Sequence, residues 1–342
     1  GQATALRPHL TRWLTELHRV AYWLQPFLPK AAPTILTPPS VLRRIFAEAD
    51  RDLDQALDLV PLDPQWRSFF EDGSTLDLVA DVEAMKERLD AFAPGQGAGE
   101  GYGRFQGLAR DLHDISDRYF FWRPIGGIGD MFDLKATFRP GVLKDVLRMR
   151  MGSTVAGTIR SYAPDERAAQ MFDHFTQYVG SAPDASPAVL AGIAHMQSDE
   201  GIWYPMGGIG KVPEALAGLM VDLGVEIRTR TKVERIVVRD GTVHGVVTDS
   251  GETVSLDAVV SNMEVIPAYE RLLGEGRSLM MRRYHYMYEP AASGLVVHLG
   301  LNKRYPQLHH HNFFFSADPK RFLEQIHRDK QLPDDPNIYL VC

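Results

Sequence analysis

Residues 201–273 read GIWYPMGGIGKVPEALAGLMVDLGVEIRTRTKVERIVVRDGTVHGVVTDSGETVSLDAVVSNMEVIPAYERLL, and the period of the sequence changes where this stretch begins. Gly201-Ile202-Trp203-Tyr204-Pro205 leads into Gly207-Gly208-Ile209-Gly210, and apolar spacing then predicts a helix over 211–223 ending at Gly224. Short β segments follow at 225–227, 233–238, 243–248, 253–256 and 258–260, with turns at Asp240-Gly241 and Ser250-Gly251. An Asp-Gly step between β-branched runs is a strong hairpin signal, because both turn residues must accept a positive φ.

Before this stretch the chain is largely helical. Ser40 is placed as the N-cap of a helix whose apolar face is Val41, Leu42, Ile45 and Phe46. Residues 66–80 read as a hairpin turning at Asp72-Gly73, and 81–93 as a helix with Asp81 near its start, followed by a glycine-rich loop over 94–103. Residues 104–200 are predicted mostly helical and carry Phe120, Phe121, Trp122, Met131, Phe132, Met149, Met151, Met171, Phe172, Phe175 and Met196. That set fills a core or walls a tunnel for a long apolar substrate, and composition does not separate the two. After the stretch, 294–301, 312–315 and the run from Ile338 read as strands, and 318–328 as a helix. The pattern is α/β with an α+β, helical insertion. Five segments follow: 1–31, 32–80, 81–200, 201–273 and 274–342.

Bulk composition narrows the function classes. With 342 residues, 44% apolar and 24% charged, the chain is ordinary for a globular protein large enough for more than one domain. A net charge of −7 gives nucleic acid no global attraction. One cysteine, Cys342, excludes a disulfide framework and suggests a reducing, cytoplasmic setting. No apolar run reaches the ~20 residues that cross a bilayer. Residues 1–30 place Leu6, Leu10, Trp13, Leu14, Leu17, Val20, Ala21, Leu24 and Leu28 at helical spacing, with Arg7, Arg12, Arg19 and Lys30 against Glu16. This is either a helix packed on the body or one lying in a membrane surface.

The order of motifs resembles the bacterial phytoene desaturase family of the flavin amine-oxidase superfamily. The likeness rests on the aromatic-Pro-x-Gly-Gly-x-Gly turn at Tyr204 to Gly210, the helix ending in Leu223-Gly224, the strand with Val233 and Ile236, the β-meander and the Ser261-Asn262 step. The segments at 33–49, 58–78, 293–316 and 333–342 agree in order. The family's G-x-G-x-x-G turn, which holds the FAD pyrophosphate at a helix N-terminus, is absent; the glycines at 95–103, 126–129 and 207–210 do not have that spacing. The expectation is therefore a chain lacking its nucleotide-binding start and its C-terminal flavin segment.

The resemblance implies a partial FAD-binding domain of Rossmann-like type with a mixed substrate domain. It implies desaturation of a carotenoid precursor, with hydride passing to FAD. A carotenoid isomerase or oxidase, another amine-oxidase-like flavoenzyme, or a fragment that does not bind FAD are the alternatives. The implied cofactor-binding residues are Tyr204, Pro205, Gly207, Gly208, Gly210, Val233, Ser261 and Asn262, each also readable as ordinary turn or strand structure. Asp130 is the candidate acid/base, or else a helix N-cap. The partners implied are a hydrophobic polyene and a membrane surface to which the protein binds peripherally, with the electron acceptor left open. His309-His310-His311 invites a metal, but successive strand residues face opposite ways, so only His309 and His311 could share one; no metal is expected.

Overall fold

The computed structural model of the chain describes residues 35–37, 39–118, 145, 148–150, 152–274, 278–288 and 300–342. The expected amphipathic helix at 1–30, Asp130 and most of the strand expected at 294–301 lie outside them. The chain forms two compact units, one of residues 1–25 and 213–291 and the other of 26–212 and 292–342.

The larger unit is organised by a four-stranded mixed sheet. Strand β1 (Leu59–Pro61) belongs to a separate two-stranded ribbon, while β2 (Trp66–Phe69) and β3 (Thr75–Leu78) form the expected hairpin, with Gly73 at φ +79° in its turn. Two strands from the far end of the chain complete the sheet: β8 (His311–Phe314) lies parallel to β2, and β9 (Ile338–Val341) antiparallel to β8. The face carrying Trp66, Ser68, Leu76, Leu78 and Phe313 is fully buried against helices. Those helices are Val82–Phe92, capped by Asp81 accepting from the Ala84 N–H at 2.7 Å, then Ala98–Ser116 and Glu166–Asp173. Trp66 packs edge-on against Phe313 at 5.2 Å, and Tyr102, Phe105, Met171 and Phe172 fill the layer behind. Each such side chain contributes about 1.5–3 kcal/mol by leaving water.

Of the glycine-rich loop expected over 94–103, residues 94–97 form the turn, and 98–103 are instead the beginning of a 19-residue helix. Gly97 turns the chain at φ +66°, and the glycines that follow permit close packing rather than looping. A Cβ at Gly101 would stand 2.0 Å from the Tyr162 carbonyl oxygen, and one at Gly99 2.5 Å from an Asp90 carboxylate oxygen. The first helix runs Pro39–Glu48, so Ser40 lies inside it rather than capping it; Pro39 starts it, as its missing N–H allows, and the Ser40 N–H reaches Glu200 at 3.3 Å.

The smaller unit is the expected meander. Strands β5 (Val233–Arg239), β6 (Thr242–Thr248) and β7 (Thr253–Ser255) pair antiparallel, and Asp240 and Gly241 take φ +51° and +74°. The helix Lys211–Asp222 leads into it and ends in a Schellman turn, with Val225 N–H on the Met220 carbonyl and Gly224 at φ +80°. Residues 225–227 and 258–260, expected as strands, are not; among the described residues neither segment has a strand partner. Val221, Val260 and Val265 are more than half exposed, at 60%, 55% and 52%.

Two imidazoles are enclosed in the larger unit. Burial pushes His174 and His311 from an ordinary 6.5 to about 3, so both are neutral. Each folded-state value lies below the unfolded one, so their contribution to stability is whole above pH 6.5 and is lost as pH falls toward 3. Asp173 runs the other way: burial, outweighing Arg160 at 2.8 Å, raises it from 3.8 to about 6. Its contribution is whole below pH 3.8 and is lost as pH rises through about 6. Near pH 5 unfolding therefore gains two histidine protons and loses one carboxyl proton, a net uptake of one from these three groups.

Three outcomes are expected. His174→Phe should lower proton uptake on unfolding near pH 5 by about one, read from the pH dependence of the urea midpoint; an unchanged slope refutes the enclosed, neutral ring. Gly101→Ala should lose roughly 1–3 kcal/mol through forced overpacking. Gly107→Ala, on the exposed side of the same helix with nothing within 4 Å of its Cβ position, should gain ~0.5–1 kcal/mol.

Candidate functional site

The Tyr204–Gly210 turn hangs from a two-stranded ribbon. Strand β4 (Trp203–Pro205) pairs antiparallel with β1, with Pro205 opposite Leu59 and Trp203 opposite Pro61. The ribbon is tied at both ends: Leu62 N–H donates to the Ile202 carbonyl and Met206 N–H to the Asp58 carbonyl, each at 2.8 Å. Trp203 N–H also reaches the Leu36 carbonyl at 3.0 Å, and its indole donates to the Glu200 carbonyl. The turn residues are thus set by three segments distant in sequence.

Gly208 N–H closes the turn on the Pro205 carbonyl at 2.9 Å. Gly207 stands at its third position with φ +91°, the geometry for which a type II turn requires glycine, and Gly208 continues at φ +96°. Lys211 N–H then takes up the Gly208 carbonyl at 3.0 Å and the helix begins. A Cβ on Gly207 would press on the Lys211 side chain at 3.1 Å, whereas Gly208 and Gly210 have nothing within 4 Å. Backbone is therefore presented bare at Gly208 and Gly210, a surface against which a planar ring can lie closely.

Beside this turn is an aromatic and imidazole cluster. The Tyr204 ring meets His310 edge-on at 4.9 Å, and His310 meets His311 at 4.4 Å. His311, fully buried in β8, shares a hydrogen bond with the Tyr339 hydroxyl through Nδ1 at 2.8 Å, and Tyr339 stacks on Phe313 at 4.6 Å. Burial, the largest cause, lowers His310 as well. Asn312, on the opposite face, closes the loop before β8 by accepting from His309 N–H and donating to the His309 carbonyl at 2.9 and 2.7 Å. His309 stands 3.9 Å from Asp77, a carboxylate already held by Nε and Nη2 of Arg67 at 2.7 and 2.8 Å. Among the described residues no group of three or more His, Cys, Asp or Glu side chains converges as a metal site needs.

Of the residues singled out in the sequence, Tyr204, Pro205, Gly207, Gly208 and Gly210 come together in this one turn of the larger unit. Val233, Ser261 and Asn262 belong to the smaller unit. There Val233 opens β5 opposite Thr248, and Ser261 Oγ accepts from Met263 N–H at 3.2 Å in an exposed turn. Asp130 lies outside the described residues. Neither His174 nor Tyr339 belongs to a sequence motif. Their significance comes only from the strands and helices that enclose them.

Comparison with known proteins places the sequence in a family. The chain is 36% identical over 311 residues to a 4,4'-diapolycopene oxygenase of Methylomonas, covering 91% of this chain and 61% of that protein. It is 35% identical to 4,4'-diaponeurosporene oxygenases of Staphylococcus haemolyticus and Staphylococcus aureus, covering 90% of this chain in each case and 60% and 61% of the relative. The chain thus spans about three fifths of the length of these relatives. Among solved structures, a putrescine oxidase variant aligns at 12% identity with a TM-score of 0.41, over 70% of this chain and 48% of that one. The sequence profile of the flavin containing amine oxidoreductases matches residues 128–324, which include the turn, the meander and β8. The α/β fold class read from the sequence and its flavin, FAD, are those of the family to which the chain belongs: it is a member of the flavin containing amine oxidoreductases.

Proposed function

We propose that the protein oxidises a long, hydrophobic, carotenoid-type polyene with FAD as cofactor. The observation that carries this reading is the extent of the likeness to the two kinds of carotenoid oxygenase, which runs over nine tenths of the chain. Bound FAD would supply a hydride acceptor. The bare backbone at Gly208 and Gly210, with Tyr204 and Pro205 leading into it, suits the close approach of a flat ring. We assign the flavin side of the site to this turn, and to Val233, Ser261 and Asn262 the contacts with the remainder of the cofactor. Asp130 is the proposed group for moving a proton.

The substrate's chemistry explains what the described residues do not provide. A polyene cation formed on loss of hydride is allylic and spreads its own charge, so the protein has mainly to orient the chain and keep the site dry. The names of the relatives favour oxygenation of the polyene end. The order of motifs, which resembles phytoene desaturases, favours a second reading, desaturation. A substrate of this kind resides in bilayers, so the protein is proposed to work at a membrane surface. No helix among the described residues is long and apolar enough to cross one.

Expression of the complete reading frame in cells that accumulate phytoene, and separately in cells that accumulate a fully conjugated acyclic carotenoid, separates the readings by chromatography and mass spectrometry. A more polar, oxygenated pigment from the conjugated carotenoid is expected. Extended conjugation from phytoene establishes desaturation instead, and no new pigment in either strain overturns both. In the same protein Gly208→Val should cut flavin content several-fold, because a β-branched side chain both strains φ +96° and covers the bare backbone. Full flavin occupancy in that variant removes the turn from the site. Flotation with liposomes should carry the protein to the lipid layer, and recovery in the soluble fraction counts against membrane attachment.

A further inference from the structure

The parallel pairing of β2 with β8 sets Ser68 opposite Phe313, so Trp66, Ser68, His311 and Phe313 share one face of the sheet. His174, entering from the helical layer, rests against Phe313 at 3.9 Å and meets Trp66 edge-on at 5.6 Å. Trp66, Ser68 and His311 are wholly buried and His174 is 8% exposed. On these four side chains, four polar atoms have no hydrogen-bond partner among the described residues: Trp66 Nε1, Ser68 Oγ, His174 Nδ1 and His311 Nε2.

One enclosed polar atom without a partner is a local defect, but four on neighbouring side chains of one buried layer call for a common partner. A buried donor or acceptor left unpaired forfeits its bonds to water and receives nothing in return, so such groups are normally satisfied by protein or by ordered water. The four atoms are chemically complementary. The indole only donates, the serine hydroxyl donates and accepts, and each neutral imidazole nitrogen does one or the other according to its tautomer. The His311 ring is fixed from its far side by the Tyr339 hydroxyl at 2.8 Å, so its Nε2 cannot swing away to another partner. No carboxylate, lysine or arginine is among the four, which leaves no charge to attract an ion. A water molecule needs two to four partners, and this lining supplies donors and acceptors together.

We propose that Trp66, Ser68, His174 and His311 form an internal polar site that binds ordered water, a neutral ligand, within the sheet-and-helix core. His311, one member of the site, touches His310 at 4.4 Å, and His310 touches Tyr204 at 4.9 Å, so the site adjoins the turn through that ring. The inference concerns the core of this chain and does not depend on the substrate.

A crystal structure of the protein at a resolution that shows water tests it directly. The expected result is an ordered peak within hydrogen-bonding distance of at least two of the four atoms. Pairing of the four with one another, an empty apolar gap, or density for a cofactor or substrate group overturns it. In solution, the Trp66 indole proton, one of five in the chain and assigned by its loss in Trp66→Phe, should show magnetisation transfer to slowly exchanging water. Absence of that transfer in the folded wild-type chain overturns the proposal.

Discussion

The parallel contact between β2 and β8 is the constraint on which the larger unit depends. It joins Arg67 to Asn312 and Phe69 to Phe314 across some seven tenths of the chain, and on its buried face sets Trp66 against Phe313. Parallel strands are buried on account of their crossovers, and here the crossover contains nearly all of the helices and the meander. Closing so long a loop costs entropy that grows only slowly with length, so a small number of well-buried aromatic contacts suffices to offset it. On the opposite face Phe69 stacks on Phe314 at 4.5 Å, so the pair is clamped on both sides.

What was legible in the sequence follows from this. The hairpin at 66–78, the Asp81 cap, the meander and the Asp240-Gly241 turn are each decided by residues within one turn of one another, and each was readable. The β2–β8 pair was not, because nothing in Trp66-Arg67-Ser68-Phe69 names a partner more than two hundred residues away. The glycines at 99–103 depart from the loop reading for a related reason. Glycine signals a loop only when its backbone freedom is what matters; at Gly101 what matters is the missing Cβ beside Tyr162, a contact no local pattern reveals. The strands expected at 225–227 and 258–260 failed oppositely: the apolar pattern is present, but a strand exists only in its partner. In the site, the Tyr204–Gly210 turn was legible from its glycines and proline, whereas His174 and Tyr339 acquire their places from the fold.

The packing also bears on where a polyene could lie. Met171, Phe172 and Phe175 were equally readable as core or as tunnel wall. They are 0%, 2% and 3% exposed, and Phe172 stacks with Tyr102 at 5.4 Å, Phe105 at 5.8 Å and Phe175 at 6.3 Å. A small apolar hollow remains between Leu89, Tyr102, Phe105, Tyr162 and Phe172. Side chains that spend their surface on one another cannot also line a channel unless the layer repacks, and a core at crystal-like density resists that. These residues are therefore the floor on which the β2–β8 pair is built. The polyene proposed to pass the Tyr204 turn has to be lined by other side chains.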